Sequence, residues 1–309
     1  MLAADGNLLE PPRGGAPGLW PEPGPSLDAV SALRRGEAAA EVDVLTFGGA
    51  IVRHDLAGQR AIDLMRLDRA LPRAAAAFAR TGTREIIAAF DLVLAPGGWS
   101  RRTSCCEHVI GFGDQGIATS GNHLGWLDAA TGELVHEVSA AVASSRVGHL
   151  IRIDDDRFYV MGYHECRLQL WSHRQRARIA ERRVARGDDR GFWPPCGVSI
   201  HRPSRRLLVT YGDHQVDVFA LDGQPFTLER RIALHANLEH VLLSDDGKTL
   251  YIGDEDELAA LRYADLVPRW RYTTTREITV LEALPGGELV AGCRDGAVLV
   301  LRDRPAGNA

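Results

Sequence analysis

The sequence has almost no lysine. Of its 36 basic residues in 309, only Lys248 is a lysine and the rest are arginine. With many alanines and glycines beside it, that bias fits the codon usage of a GC-rich bacterial genome, an expectation about origin rather than chemistry. No run of 18 apolar residues occurs, which excludes a membrane-spanning helix. The five cysteines (Cys105, Cys106, Cys166, Cys196, Cys293) contain no Cys-x-x-Cys pair, and Met1 to Asn7 show no basic segment leading into an apolar stretch. Reduced thiols, no secretory signal and a cytoplasmic location are therefore expected. A net charge of −5 argues against wholesale coating of nucleic acid. Enzyme signatures are missing too: there is no Gly-x-Ser-x-Gly elbow, no phosphate-binding glycine loop and no His-Glu-x-x-His. The Cys105-Cys106-Glu-His108 and His164-Glu-Cys166 clusters lack zinc-ligand spacing, and the acidic runs 154–156 and 254–257 read as hairpin turns. No metal or cofactor is expected.

Helix-period stretches are also scarce. Residues 1–26 are rich in proline and glycine and read as a tail or arm, leaving 27–305 as the folded unit. Within it, short apolar runs alternate with Gly, Asp and Pro-Gly turns, the pattern of strands. Segments 149–162, 240–253 and 279–292 share one layout: strand, polar turn, second strand, glycine. Aligning Gly48, Gly121, Gly162, Gly212, Gly253 and Gly292 gives steps near 40 residues, except a first step of 73 and one of 50 between Gly162 and Gly212, where the long link 186–195 lies. A hidden repeat is expected there, with Gly82 in the aligned position and the alanine-rich 71–79 as turn and strand. The count becomes seven. Four strands every 40 residues is the spacing of a β-propeller, so an all-β, seven-bladed β-propeller is expected. Six blades would result if residues 68–100 were a helical insertion. The last repeat stops near Asp303 after three strands, and 27–33 is expected to supply the missing outer strand.

The chain resembles the WD-repeat propellers. Gly148-His149 looks like that family's Gly-His dipeptide, and Trp171-Ser172, Phe90-Asp91, Leu127-Asp128 and Leu221-Asp222 echo its Trp-Asp ending. By the resemblance, an acid in the second turn should bond the histidine, pairing His149 with Glu165, His240 with Asp256 and, by position, Thr279 with Asp295. No repeat carries every signature residue, and His108 meets Leu124 where an acid belongs. These pairs are structural expectations, since buried polar groups need partners.

The sequence leads to a non-catalytic protein–protein interaction platform, a subunit of a larger complex. Its partner surface is expected on the end face that carries the links between blades and the turns between second and third strands. Trp99, Arg101 and Arg102 on one long link, Phe192 and Trp193 on another, and Tyr163, His164, Asp213 and His214 on turns are the candidates. Tryptophan and arginine most often dominate binding energy. For Trp99 and Trp193 the competing expectation is that the indoles fold back and plug blade junctions. Residues 167–190 hold eight arginines against three acids, including Arg174, Arg176, Arg178, Arg182 and Arg183, so an acidic protein partner is weighed against a solvated outer edge. Nucleic acid ranks behind, because aromatics are not interleaved there. The alternative to a platform is a propeller hydrolase or lyase using His123, His164 and His214 around the channel mouth.

Overall fold

The computed structural model describes residues 18–19, 29–36, 38–58, 60–65, 75–82, 84–143, 146–162, 167–183, 195–211, 214–234 and 238–302. Among them all regular structure is β, in seven antiparallel four-stranded sheets. Blade 1 runs outward from the axis as Val30–Arg35, Glu41–Thr46, Ile51–Asp55 and Arg60–Met65; blade 2 as Ala75–Thr81, Arg84–Ala89, Leu92–Leu94 and Ser100–Arg102. Blades 3 to 7 begin on the inner strands Val109–Phe112, Val147–Arg152, Pro195–His201, His240–Leu243 and Ile278–Ala283. The inner strands touch their neighbours around a central axis. This is the seven-bladed β-propeller.

Packing follows from the period-two pattern of strands. In blade 5, Leu207 and Val209 face blade 4, while Leu208 between them faces blade 6. In blade 1, Val42 and Val44 face blade 7, and Leu45 faces blade 2. Both faces of a second strand are therefore buried, which is why the centres of these strands are mostly apolar and the buried exceptions, such as Asp43, are paired. Seven apolar clusters result, each spanning two adjacent blades, and together they close the ring.

Two details of the sequence reading change. The hidden repeat exists, but Gly82 lies in the turn between the first and second strands of blade 2, with φ +56, and the second-to-third turn is Phe90-Asp91. The alanine-rich segment from Ala75 is the innermost strand of blade 2. Ring closure also uses a different segment. Val30–Arg35 is the inner strand of blade 1, and Gly18–Leu19 pairs along Val298–Arg302 as the outer strand of blade 7.

Buried charges on middle strands are paired. Burial would raise the Asp43 carboxyl, but hydrogen bonds from Arg53 and Arg34 outweigh it and hold it below its usual range. Arg34 also grips Glu85 of blade 2 at 2.8 Å, tying two blades together. Asp217 takes a two-pronged bond from Arg231.

Buried histidines make stability pH-dependent. Burial pushes His54 and His108 down to about 4 and His149 to about 3, and it lowers His240. The unfolded chain protonates these rings near 6.5 and the folded one does not, so acid favours unfolding. Thermal unfolding followed from pH 7.5 to 4.5 should show Tm falling once pH drops below about 6.5, above the carboxylate range. A flat or rising Tm between pH 6.5 and 5 would contradict the burial of these rings.

Candidate functional site

Inner strands start at one end of the ring, here the upper end, where the blade-to-blade links and the second-to-third turns also lie. A cavity of about 680 Å³ opens there. Its wall comes from the heads of five inner strands: Ser31 of blade 1, Ala75 and Ala76 of blade 2, His108 leading into blade 3, His240 of blade 6, and Ile278 and Thr279 of blade 7. The turn residues Phe47, Phe90, Glu255 and Arg294 and the link residues Glu107, Glu239 and Glu277 complete it. It is the mouth of the central channel.

The strand heads reach sideways. Thr279 Oγ1 donates to the Val30 carbonyl of blade 1 at 2.7 Å. His108 bonds the backbone of Gly148 in blade 4, and His240 the backbone of Ile278 in blade 7. His149 sets its ring 6.2 Å from that of His108. For His240 and Thr279 the pairing implied by the resemblance is thus replaced. His240 serves the next blade's inner strand, while Asp256 shapes its own turn, its backbone oxygen accepting from Thr274. Thr279 likewise serves the neighbouring blade instead of Asp295, which accepts from Ala297 and Arg276. Glu165, the partner expected for His149, lies outside the described residues.

Four carboxylates and one guanidinium line the mouth. Arg294 pairs with Glu277 at 2.8 Å, and Arg146 with Glu107 at 2.6 Å. Glu239 and Glu255 have no ion-pair partner among the described residues. Burial, then the charges of Glu255, Asp254 and Glu277, push the Glu239 carboxyl above its ordinary range. The Nε2 atoms of His108 and His240 are buried and have no hydrogen-bond partner among the described residues. The other end of the channel contrasts with this. There Arg35 holds Asp245 and Glu282, each at 2.8 Å, and Arg202 reaches the Arg152 carbonyl. Among the described residues, Arg35 is engaged between blades at the lower end, while Glu239 and Glu255 at the upper end have no ion pair.

The structure separates the residues nominated from sequence. The stretch beginning at Pro96 is no link between blades. Residues 95–99 turn between the third and outer strands of blade 2, at the lower end, and Arg101 and Arg102 stand on the exposed outer strand. The Trp99 indole folds back onto blade 3, donating to the Ala129 carbonyl at 3.0 Å and covering Gly132, where a Cβ would come within 2.3 Å of the ring. It joins the cluster that seals blades 2 and 3. His214 sits at the upper end on the second-to-third turn of blade 5, with φ +66, and is not part of the cavity wall. His123 faces Glu137 on the outer strand of blade 3 at 3.5 Å and is not part of the cavity wall. Tyr163, His164, Phe192, Trp193 and Asp213 lie outside the described residues.

On the outer strand of blade 4, Ala177–Arg183, Arg178 pairs with Glu181, and Arg182 lies over the Phe219 ring and donates to the Phe226 carbonyl of blade 5. Arg183 stands opposite Arg167, and Arg174 and Arg176 lie in the preceding turn. Sequence reasoning missed Glu107, Glu239 and Glu277. The available signal was the Glu-His dipeptide at the head of two repeats, 107–108 and 239–240.

Comparison with solved structures gives the same architecture. The β-propeller domain of Cps50 (Swd1) from Myceliophteria thermophila superposes with a TM-score of 0.68 at 16% identity, covering 88% of this chain and 96% of that one. The likeness shows the fold, a seven-bladed β-propeller. That domain is one of 1578 matching chains, a breadth that identifies an architecture and not an activity. No family model matches the chain, and no curated protein does.

Truncating the plug should weaken the fold. Trp99→Ala is expected to lower stability by about 2 kcal/mol, a drop of several degrees in Tm by calorimetry. An unchanged Tm would show that the indole seals nothing.

Proposed function

We propose that the protein is a non-catalytic interaction platform, a subunit of a bacterial cytoplasmic complex, that receives a protein partner on its upper face at the mouth of the central channel. The observation that carries this reading is the cavity itself. It is built by side chains from five blades, it holds acceptors left unmatched among the described residues, and its walls are strand ends already ordered by the ring. A rigid scaffold spends little entropy on presenting such a surface. The WD-repeat fold supports the reading, being typically a platform.

An acidic partner on the blade 4 edge is the second reading, supported by Arg174, Arg176 and Arg183. Two observations weaken it: Arg178 and Arg182 are engaged within the protein, and charge on an outer strand also guards against sheet-to-sheet association.

Affinity purification of the full chain from its native host tests both. Stoichiometric capture of another polypeptide, abolished by Glu239→Arg with Glu255→Arg and kept by Arg176→Glu with Arg183→Glu, is the expected result. The opposite pattern moves the interface to blade 4. A metal ion retained through purification with no polypeptide would contradict the platform and favour the hydrolase or lyase.

A further inference from the structure

Outer strands differ around the ring in how they are covered. Those of blades 3 and 5, Leu134–Val138 and Thr227–Ala233, alternate between exposed residues and residues at least half-buried, as strands do when one face is packed. Ala177–Arg183 of blade 4 does not. Over its seven residues only Ala180 is half-buried and the rest are exposed, Ile179 by 45%. It is the last strand of its sheet, and among the described residues no strand pairs with its outward side. Outward N–H and C=O groups of such a strand are a template for another extended chain.

Register sorts the charges of this edge. The pairings of Arg167 with Arg183, Gln169 with Glu181 and Trp171 with Arg178 put these residues on one face of the blade, the face whose Trp171 packs on blade 3. There one carboxylate serves two guanidiniums, since Glu181 holds Arg167 at 3.0 Å and also Arg178. Arg183 stands directly opposite Arg167 without an ion pair among the described residues, and like charges so placed repel. Arg174 and Arg176, in the turn leading into the strand, have no ion pair there either. The outer strands of blades 5 and 6 engage their arginines internally: Arg231 on Asp217, Arg271 on Glu257, Arg230 on the Tyr263 carbonyl and Arg269 on Thr249. Blade 4 alone of these three keeps positive charge to spare along an open edge.

We propose that the outer edge of blade 4 takes up an acidic, extended segment of a partner protein as a fifth strand, paired along Ala177–Arg183, with its carboxylates on the face of Arg167 and Arg183. This rests on the second reading above, an acidic partner at blade 4, and names how that partner is held. The charge that guards the edge also selects its occupant. A second copy of the strand would bring arginine against arginine and is repelled, whereas an acidic strand relieves the repulsion between Arg167 and Arg183. Arg182, lying over Phe219 and bonded to the Phe226 carbonyl, fixes the strand against blade 5 through its side chain and leaves the outward backbone free. Nucleic acid would meet the charge but offers no backbone ladder, and the strand has no aromatic residue on which a base could stack. Edge and mouth are separate sites, so capture through the mouth survives loss of the edge.

The test uses the full chain and defined probes, so it is independent of any cellular partner. A capped heptapeptide of alternating glutamate and valine is titrated at physiological ionic strength, with binding read by shifts and slowed exchange of the amide signals of residues 177–183. Saturable binding with Kd at or below about 1 mM is expected. The same peptide with glutamine for glutamate should bind about tenfold more weakly or worse, having lost the charge. The glutamate peptide N-methylated throughout should lose about tenfold also, because it keeps the charge and cannot donate to a ladder. Against Arg176→Glu with Arg183→Glu the glutamate peptide should lose at least about tenfold at an unchanged Tm. Should that variant melt lower, Arg183→Gln, a change on the exposed strand, gives the same reading at about threefold. Equal affinity of the glutamate and glutamine peptides, or unchanged binding by the variants, overturns the proposal. So does a ten-nucleotide thymidine strand that binds more tightly than the glutamate peptide, in favour of nucleic acid. Undiminished binding of the N-methylated peptide overturns strand addition and leaves the acidic-partner reading standing, whereas no saturation by either acidic peptide at about 10 mM removes both.

Discussion

A four-stranded sheet whose two faces are both apolar has nowhere to stand in water unless both faces are covered. That constraint shapes this molecule. Each second strand sends alternate side chains to opposite neighbours, as Leu207, Leu208 and Val209 do, so no blade has a face to spare. Seven blades satisfy every face only when the last meets the first, which Val42 and Val44 accomplish against Val290 and Val298. A solenoid would need polar caps at its ends. A ring needs none, and the chain places its charge at the rims and outer edges instead.

Chemistry is thereby confined to the two ends. At the lower end arginines and acids from different blades neutralise each other, Arg35 alone linking blade 1 to blades 6 and 7. At the upper end the strand heads are used for stitching, with Thr279 on Val30 and His240 on Ile278, and the acids just before them are left crowded around the opening. In blades 3, 6 and 7 the same short segment therefore serves the joint with one residue and the mouth with a near neighbour. Trp99 illustrates the converse: an indole that the sequence offered either as a contact residue or as a plug at a blade junction is consumed by a joint between blades.

The architecture was legible because turn glycines recur at a near-constant step, and this survives loss of most signature residues. The register of blade 2 was not. Its third and outer strands have only three residues each, Leu92–Leu94 and Ser100–Arg102, so the repeat contracts and Gly82 falls into register one turn early. That slip carried Trp99 to the wrong end of the ring. Ring closure by Gly18–Leu19 was hidden by two residues pairing within a proline-rich arm. The acidic mouth was invisible for another reason: Glu107, Glu239, Glu255 and Glu277 are far apart in sequence, each unremarkable, and only closure brings them around one axis.

If the joints between blades hold the structure as one body, no blade can open without exposing the faces of two others. Native-state hydrogen exchange of the second-strand amides in all seven blades tests this most directly. The account predicts that Val44 of blade 1, Val160 of blade 4 and Val290 of blade 7 exchange through one common opening reaction, with the same opening free energy and the same dependence on denaturant. A blade whose second strand exchanges at a distinctly lower free energy than the rest would contradict it, because its faces could then be uncovered alone.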